Sequence, residues 1–328
     1  MNILVTGGLG VNGCWVTRQL LEMGHNPVVF DIRPDFSLVS DIASDINVVQ
    51  GDVADYAAVL RALKEHRIER ICHLAAIYPD AADANPVRGF HLNASVTVQI
   101  LEAARVMDVD RVVFTSSLGA LSPIGEDYLA SERKPINEDH HAYPTNSVYG
   151  ATKAASELMG INYERLYGLK FVALRFAPIY GPGKHAPRHG NINVLWNRIV
   201  EHALMGEPMK FDTGGDQPYD MTYSQDVAHS VVLGCLAPRP EHSVFHIGSG
   251  RSHTLREFVD GVKAAIPSAP IEVGPGFAEG VGPGGAWIFD TSRAKAELGY
   301  EAQYPPKEAV QDWLHWLERL ELEIIPSK

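Results

Sequence analysis

The amino-acid sequence predicts an α/β protein built on a doubly wound parallel sheet with a smaller C-terminal lobe. Up to Phe176, short apolar runs alternate with longer stretches of helical periodicity, as expected of repeated βαβ units. The first apolar run leads directly into a glycine-rich turn and then a helix, which is how such sheets commonly begin. Beyond Phe176 the alternation ends, and Gly- and Pro-rich segments interrupt the chain.

The predicted strands are short and continuously apolar, as expected of parallel strands buried on both faces. They cover residues 2–6, 27–31, 47–50, 70–74, 111–116 and 170–176. Helical spacing of apolar residues predicts helices over residues 11–23, 56–66, 86–107 and 147–167. The same spacing predicts two later helices over residues 254–265 and 306–320.

Composition narrows the possible functions. The 328 residues are 45% hydrophobic, which is ample for one large domain or two fused lobes. A net charge of −12 gives a surface that repels phosphate backbones, so we expect no nucleic-acid partner. Cys14, Cys72 and Cys235 are too far apart for a zinc motif, and we expect no metal. With no signal-peptide pattern and no apolar run of roughly 20 residues, we expect a soluble cytoplasmic protein.

A glycine turn at the start of the chain predicts a dinucleotide site. Gly7 allows the tight turn, Gly10 lets the backbone approach a pyrophosphate, and Gly13 lets the helix pack closely on the strand. The N–H groups at the start of the following helix would then face the phosphates. We therefore expect residues 1–177, with a return segment at about 209–248, to form the cofactor domain. Residues 178–208 and 249–328 would mainly form the substrate lobe.

Two carboxylates follow the second and third strands. Asp31 ends the second strand, where a carboxylate can accept the ribose hydroxyls of NAD and repels the 2′-phosphate of NADP. We therefore expect NAD, although the nearby Arg33 leaves NADP open. Asp52 lies where it could contact adenine, or it could simply stabilise its own turn.

Tyr149 and Lys153 are the predicted catalytic pair. Because they are four residues apart on a helix, they share a face. A nearby ammonium favours the phenolate and would lower the pKa of Tyr149 toward working pH, so that the phenol can exchange a proton with a substrate hydroxyl. Ser117 follows the apolar run at 112–114 and could orient the substrate oxygen toward Tyr149, or it could serve only as a strand-end hydrogen-bonding group.

Together these residues resemble the extended short-chain dehydrogenase/reductase family, in its NAD-dependent epimerase/dehydratase branch. The shared motifs are Gly-x-x-Gly-x-x-Gly at Gly7, Gly10 and Gly13, His-Leu-Ala-Ala at residues 73–76, Asn93, Ser117, Tyr-x-x-x-Lys at Tyr149 and Lys153, Leu-Arg-x-x-x-x-Tyr-Gly-Pro-Gly at residues 174–183, and Asp-Val-Ala at residues 226–228. The resemblance covers nearly the whole chain.

This resemblance implies a Rossmann domain, bound NAD and a homodimer in which the helices at 86–107 and 147–167 form a four-helix bundle. It implies that Ala75, Ala76, Asn93 and Lys153 line the nicotinamide-ribose end of the site. The full set of predicted cofactor-binding residues is Gly7, Gly10, Val11, Gly13, Asp31, Asp52, Val53, Leu74, Ala75, Ala76, Asn93, Tyr149 and Lys153.

Positions at which this chain differs from the family pattern predict the class of substrate. Nucleotide-sugar members usually carry an Asn where this chain has Pro178, and arginines in the segments that correspond to residues 215–221 and 280–285, which here contain none. Because a diphosphate taken out of water needs charged or amide donors, we expect a small polar substrate that is not nucleotide-linked. Candidate substrate residues are Ser117, Tyr78, His185, Arg188 and His189. The last three could meet a carboxylate or a small phosphate, or could lie in a solvated loop.

Three functional hypotheses follow. The first is an NAD-dependent oxidoreductase that transfers hydride at an alcohol carbon of a sugar, a sugar acid or a hydroxy acid. The alternative is an NAD-retaining sugar epimerase, which oxidises and re-reduces the same carbon. The third is a dinucleotide-sensing regulator without turnover, which the Tyr149 and Lys153 pair disfavours.

Overall fold

A parallel sheet of seven strands organises the molecule. The computed structural model describes residues 1–122, 135–140, 145–183, 195–277 and 288–322. The strands are β1 (Asn2–Thr6), β2 (Asn26–Asp31), β3 (Asn47–Gln50), β4 (Arg70–His73), β5 (Arg111–Ser117), β6 (Lys170–Phe176), β7 (Ile179–Tyr180), β8 (Met209–Phe211), β9 (Pro218–Tyr219), β10 (Thr222–Tyr223), β11 (Val244–Ile247), β12 (His253–Thr254) and β13 (Ile271–Val273). The main sheet has the order β11-β6-β5-β4-β1-β2-β3, with all of its pairs parallel. The predicted fold class is confirmed.

Helices cover both faces of the sheet and build most of the lobe. They are α1 (Gly13–Glu22), α2 (Tyr56–Glu65), α3 (Pro79–Ala84), α4 (Pro86–Phe90), α5 (Val96–Val106), α6 (Val148–Tyr167), α7 (Leu195–Met205), α8 (Ser224–Leu236), α9 (Leu255–Ala265), α10 (Ser292–Leu298) and α11 (Pro306–Arg319). Within the described residues, no helix is both long enough and apolar enough to span a membrane.

The predicted helix over residues 86–107 is interrupted. Between α4 and α5 the chain forms a π-helical turn, His91–Ser95, and such turns are often found at functional sites. Asn93 lies in this turn and exchanges two hydrogen bonds with the main chain of Ile77: the Ile77 N–H donates to Asn93 Oδ1 (2.8 Å), and Asn93 Nδ2 donates to the Ile77 carbonyl (3.0 Å). The turn therefore anchors the segment that follows β4.

The sheet reverses its winding between β1 and β4. From β1 the chain winds to one side through β2 and β3, and to the other side through β4, β5 and β6. Thr6 and His73 lie opposite each other at the carboxyl ends of these two central strands. In open α/β sheets, ligands bind in the crevice at this switch point.

Three large apolar clusters and one small one form the core of the part of the chain that the structure describes. Neighbouring residues of β1 enter different clusters: Ile3 and Val5 pack with Trp15 on one face, whereas Leu4 packs with Phe171 on the other. The third cluster lies in the lobe and contains Tyr180, Trp196, Phe258 and Trp313. β8, which begins the predicted return segment, pairs with β13 of the lobe. The residue boundaries that we assign to the two parts remain a prediction.

Two arginines join the end of α8 to the start of the central strands. Arg111 is fully buried, and its guanidinium donates to the carbonyls of Gly234, Cys235 and Ala237, while Arg70 also donates to the Cys235 carbonyl. The last carbonyls of a helix have no intrahelical donors, and a cation is favourable there. The sheet and α8 are therefore tied together by polar contacts as well as by apolar packing.

Candidate active site

The glycine turn has the shape that a dinucleotide needs. Gly7 has a φ of +69°, and a Cβ added there would lie 3.1 Å from the main chain of Ala75. A Cβ on Gly13 would lie 2.1 Å from the Gly7 carbonyl oxygen, so no larger residue fits between the turn and α1. On Gly10 a Cβ would meet only the Gly7 carbonyl, which leaves its other side open for a pyrophosphate.

Asp31 is fixed beside this turn. Its Oδ2 accepts the N–H of Leu9 (3.1 Å), and its Oδ1 accepts the N–H of Arg33 (3.1 Å). A carboxylate held at the end of β2 is well placed to accept ribose hydroxyls. Asp52 Oδ1 accepts the N–H of Ala54 (2.9 Å) and so stabilises its own turn, with Val53 partly buried between them.

A buried polar network supports the segment after β4. Thr6 Oγ1 accepts the N–H groups of Leu74 (3.2 Å) and Ala75 (3.3 Å), so its proton is directed to His73 Nδ1 at 2.7 Å. His73 Nε2 then carries the hydrogen and donates to Thr97 Oγ1 (3.2 Å). Burial, helped by the Lys153 charge, lowers the pKa of His73 from 6.5 to about 3. His73 is therefore a neutral structural group.

Ser117 and Tyr149 meet where β5 ends and α6 begins. Ser117 forms a hydrogen bond with Tyr149 that favours the phenolate, but burial is stronger and raises the pKa of Tyr149 from 10.0 to about 12. Ser147 caps α6 by accepting the N–H of Gly150 (2.9 Å), which orients the first turn of the helix. Tyr149 is thus a protonated phenol with a hydroxyl partner.

Lys153 lies one turn further along α6. Its Nζ donates to the Thr115 carbonyl (2.7 Å), lies 4.7 Å from the centroid of the Phe114 ring and lies 5.5 Å from that of the Tyr149 ring. Burial lowers the pKa of Lys153 from 10.5 to about 7, against the opposing effect of the Glu157 carboxylate. The expected lowering of the Tyr149 pKa by Lys153 is not found, because the desolvation of the buried phenol outweighs favourable contacts.

The structure adds neighbours that the sequence did not reveal. Asp83 of α3 accepts the N–H of Tyr149 at 3.1 Å. Tyr78, predicted to contact substrate, lies directly before α3, and its pKa is raised by burial and by the neighbouring Tyr149. Asp83 carried no signal of its own in the sequence, because its contact to Tyr149 depends on tertiary packing.

The other predicted substrate residues fall elsewhere. His185, Arg188 and His189 lie outside the described residues. Among the described residues, the structure brings together Ser117, Tyr149 and Lys153 near the Thr6 and Ala75 end of the crevice, and places Asp31 and Asp52 at the other end. In the described part of the chain, no group of three or more His, Cys, Asp or Glu side chains could hold a metal ion.

The family model for the NAD dependent epimerase/dehydratase family matches residues 3–248. The chain belongs to this family. Its cofactor is NAD, as predicted, and the solved structure of the similar UDP-glucose 4-epimerase of Thermus thermophilus contains NAD. The glycine turn, Asp31 and the segment after β4 fit this cofactor.

Relatives within the epimerase/dehydratase family match over nearly the whole chain. The UDP-glucose 4-epimerase of Mycolicibacterium smegmatis is 30% identical, over 94% of this chain and 96% of its own. A structure of the Thermotoga maritima UDP-glucose 4-epimerase with UDP-glucose has a TM-score of 0.79 and 26% identity, covering 98% of this chain and 100% of that one. The Thermus thermophilus UDP-glucose 4-epimerase has a TM-score of 0.75 and 27% identity, covering 97% and 99%.

These comparisons overturn the expectation of a dehydrogenase for small substrates without a nucleotide. The relatives are named for a nucleotide-linked substrate, and one structure holds it. The error was to treat three family positions, at Pro178, residues 215–221 and residues 280–285, as the complete set of diphosphate donors. Backbone N–H groups and side chains at other positions can also bind phosphates, so the loss of three donors does not exclude a diphosphate.

Proposed function

We propose that this chain is an NAD-retaining epimerase that oxidises and re-reduces one carbon of a nucleotide-linked sugar. The main support is the hydrogen bond between the partly buried Ser117 and Tyr149 beside Lys153, at the end of the crevice where the nicotinamide would lie. A single acid–base group can take a proton from the substrate and later return it. The names of relatives that match over nearly the whole chain make a UDP-sugar the substrate to test first.

In this proposal Tyr149 moves the proton and Ser117 aligns the oxygen. Once Tyr149 has released its own proton to solvent, the phenolate oxygen takes the proton of a sugar hydroxyl while the carbon loses hydride, which leaves a ketone. When the hydride returns to the opposite face of that carbon, Tyr149 gives the proton back and the configuration is inverted. No net oxidation results, so the cofactor need not leave.

Lys153 has a supporting role in this mechanism. NAD, when bound, supplies the group that accepts and returns the hydride. The Lys153 ammonium would hold the ribose hydroxyls, while the Ser117 hydrogen bond favours the phenolate form of Tyr149. Asn93 acts indirectly, because it fixes Ile77 and with it the segment that carries Ala75 and Ala76.

The proposed reaction can be tested without adding cofactor. The purified protein is denatured and assayed for released NAD, and the native protein is incubated with UDP-glucose while the sugar configuration is followed by NMR. We expect retained NAD and conversion to a mixture of UDP-glucose and its C4 epimer, with no NADH accumulating. Stoichiometric NADH formation, or an unchanged sugar in the presence of bound NAD, would contradict the proposal.

We further propose that two copies of the chain associate through α4, α5 and α6. Several apolar side chains of this surface are more than half exposed: Val87 and Phe90 on α4, and Leu158, Leu166 and Tyr167 on α6. Contiguous exposed apolar surface commonly marks a protein–protein interface. Pairing α5 and α6 with their symmetry mates would bury these side chains in a four-helix bundle.

Sedimentation velocity tests this assembly. We expect the wild-type chain to sediment as a dimer and Leu158→Glu to sediment as a monomer, because a carboxylate would be buried without a partner. Met23→Glu is the matched control, since Met23 is equally exposed but lies at the end of α1. A wild-type monomer at micromolar concentration, or a dimer that tolerates Leu158→Glu, would count against this interface.

A further inference from the structure

A third side chain continues the active face of α6. Tyr149, Lys153 and Glu157 follow one another at four-residue spacing, and Glu157 is only 2% exposed. The buried guanidinium of Arg175 on β6 binds its carboxylate as a fork, with Nη2 to Oε2 at 2.6 Å and Nε to Oε1 at 2.9 Å. Bidentate pairs of this kind fix orientation as well as charge. Glu157 is therefore an anion with one defined position.

The same carboxylate also holds the end of β5. Ser116 Oγ donates to Glu157 Oε1 at 2.5 Å, and Ser116 lies opposite Arg175 in the register of β5 and β6. The next residue along β5 is Ser117, whose hydroxyl meets Tyr149. Glu157 thus connects the strand that carries Ser117 with the helix that carries Tyr149 and Lys153.

The titratable and charged groups around Lys153 come from three elements. Tyr149 and Glu157 face it from its own helix, His73 faces it from β4, and Arg175 lies behind Glu157 on β6. From β5, the neutral Thr115 carbonyl accepts a hydrogen bond from Lys153 Nζ. His73 is neutral in its hydrogen-bonded network. Glu157 is thus the nearby anion that favours the ammonium form of Lys153.

We propose that Glu157 is a positioning residue of the acid–base site: held by Arg175 and Ser116, its carboxylate keeps Lys153 charged and fixes the end of β5 that carries Ser117. The consequence for turnover rests on the proposed function. The effect on Lys153 does not, because Lys153 is expected to contact the ribose of NAD whatever the second substrate is.

The test is the pH dependence of NAD affinity, measured by intrinsic fluorescence between pH 6 and 9. Lys153 loses its proton as pH rises, so affinity that depends on its charge is present at low pH and is lost at high pH. Removing the carboxylate in Glu157→Gln should move this loss to lower pH by roughly one unit, since a nearby opposite charge commonly shifts a pKa by about 1–3 units. An ion pair that only stabilises the fold would leave the pH of the loss unchanged.

Three further variants make the result unambiguous. Lys153→Met should remove the pH-dependent part of NAD binding; if that part persists, Lys153 is not the titrating group and the proposal fails. Glu164→Gln is the matched control, because Glu164 lies on the same helix and accepts a hydrogen bond from Ser243 away from the site. It should keep the wild-type profile.

The double variant Glu157→Gln/Arg175→Met covers the case in which Glu157→Gln alone fails to fold, because it leaves no unpaired cation in the core. It should also lose NAD affinity at lower pH than the wild type does, and an unshifted profile would overturn the proposal. A wild-type chain that binds NAD but does not convert UDP-glucose would contradict only the proposed function, since every arm of this test uses NAD alone.

Discussion

Tyr149 is held through its main chain as well as its phenol. Its N–H donates to Asp83, its hydroxyl meets Ser117, and Lys153 lies one helical turn away. Because burial raises the pKa of Tyr149 to about 12, the phenol needs this surrounding set of groups to give up its proton at neutral pH. The acid–base function therefore depends on a fixed geometry around one side chain.

Tyr149→Phe should abolish most turnover and leave NAD binding intact. The ring keeps its packing, while the proton-transferring oxygen is lost, which commonly costs about 10²–10⁴-fold in rate. Epimerisation measured by NMR and NAD affinity measured by fluorescence check the two parts. Ser117→Ala should cost less, since it removes an orienting hydrogen bond only. Near-normal turnover by the Phe variant would show that another group moves the proton.

Asp31 should make the site prefer NAD to NADP. Its carboxylate is fixed against the glycine turn by the Leu9 N–H, so a ribose 2′-phosphate would face a negative charge that cannot move away. Asp31→Ala should weaken NAD binding and reduce the ratio of NAD affinity to NADP affinity, as measured by titrating both dinucleotides. Asp52→Ala is the control and should leave the ratio unchanged, because Asp52 stabilises its own turn. If the wild-type chain bound NAD and NADP with equal affinity, the prediction would be wrong, and Arg33 would be the residue expected to bind the 2′-phosphate.

At the level of elements, α6 depends on a close approach to β6. A Cβ on Gly160 would lie 2.2 Å from the ring of Phe171, which is itself buried and stacked near Phe114. Gly160→Ala gains about 1 kcal/mol of helix propensity, but overpacking a core typically costs about 1–3 kcal/mol. We expect a net loss of stability in urea unfolding. Adding Phe171→Leu should recover part of it, and purely additive losses would show that the two residues do not compete for space.

The elements that sequence predicts well are those with strong periodicity. The six predicted strands agree with β1 to β6 to within one residue at each end, because runs such as residues 112–114 are apolar without interruption. The two-residue strands, such as β7 and β10, escape prediction because they are too short to show a period. The π-helical turn at Asn93 also escapes, because its cause is a tertiary contact with Ile77.

The predicted site shows the same limit. Glycine spacing and the Tyr149–Lys153 spacing are local patterns, and the structure places both at the crevice. Glu157 was missed although signals existed: a carboxylate four residues after Lys153, and a single Arg175 within the apolar strand β6. The substrate prediction failed because absent donors at a few positions say little about donors that only the folded lobe brings together.

For the whole molecule, buried histidines should govern part of the acid response. In the native state the pKa of His73 is lowered to about 3, whereas the unfolded chain binds this proton near pH 6.5. The stability that it contributes is therefore complete above pH 6.5 and is lost as pH falls. Asp220 and Asp226 have the opposite effect on stability. Burial raises the pKa of each to about 6, so the native state takes up their protons first and gains stability as pH falls below 6.

A variant comparison isolates the histidine contribution from these opposing groups. His73→Gln should be less stable than the wild type at pH 8, but its stability should fall less steeply between pH 6 and 5. The two slopes should differ by about 1.4 kcal/mol per pH unit, which corresponds to one proton. Urea unfolding of both proteins at several pH values between 5 and 8 measures the free energy of unfolding and therefore these slopes. His91→Gln, at an exposed position, is the control, and equal slopes for His73→Gln and the wild type would contradict the assignment.

The contacts of Arg70 and Arg111 with the last carbonyls of α8 have a consequence for synthesis. Arg111 leaves the ribosome more than a hundred residues before Ala237, whose carbonyl it binds. Translation adds about 5–20 residues per second, so α8, which covers one face of strands β1 to β6, is completed several seconds after those strands. During that interval the nascent chain presents an apolar sheet face and a guanidinium without its acceptors. A chaperone that shields apolar surface would find its substrate here, and release would follow once residues 224–247 had closed the sheet.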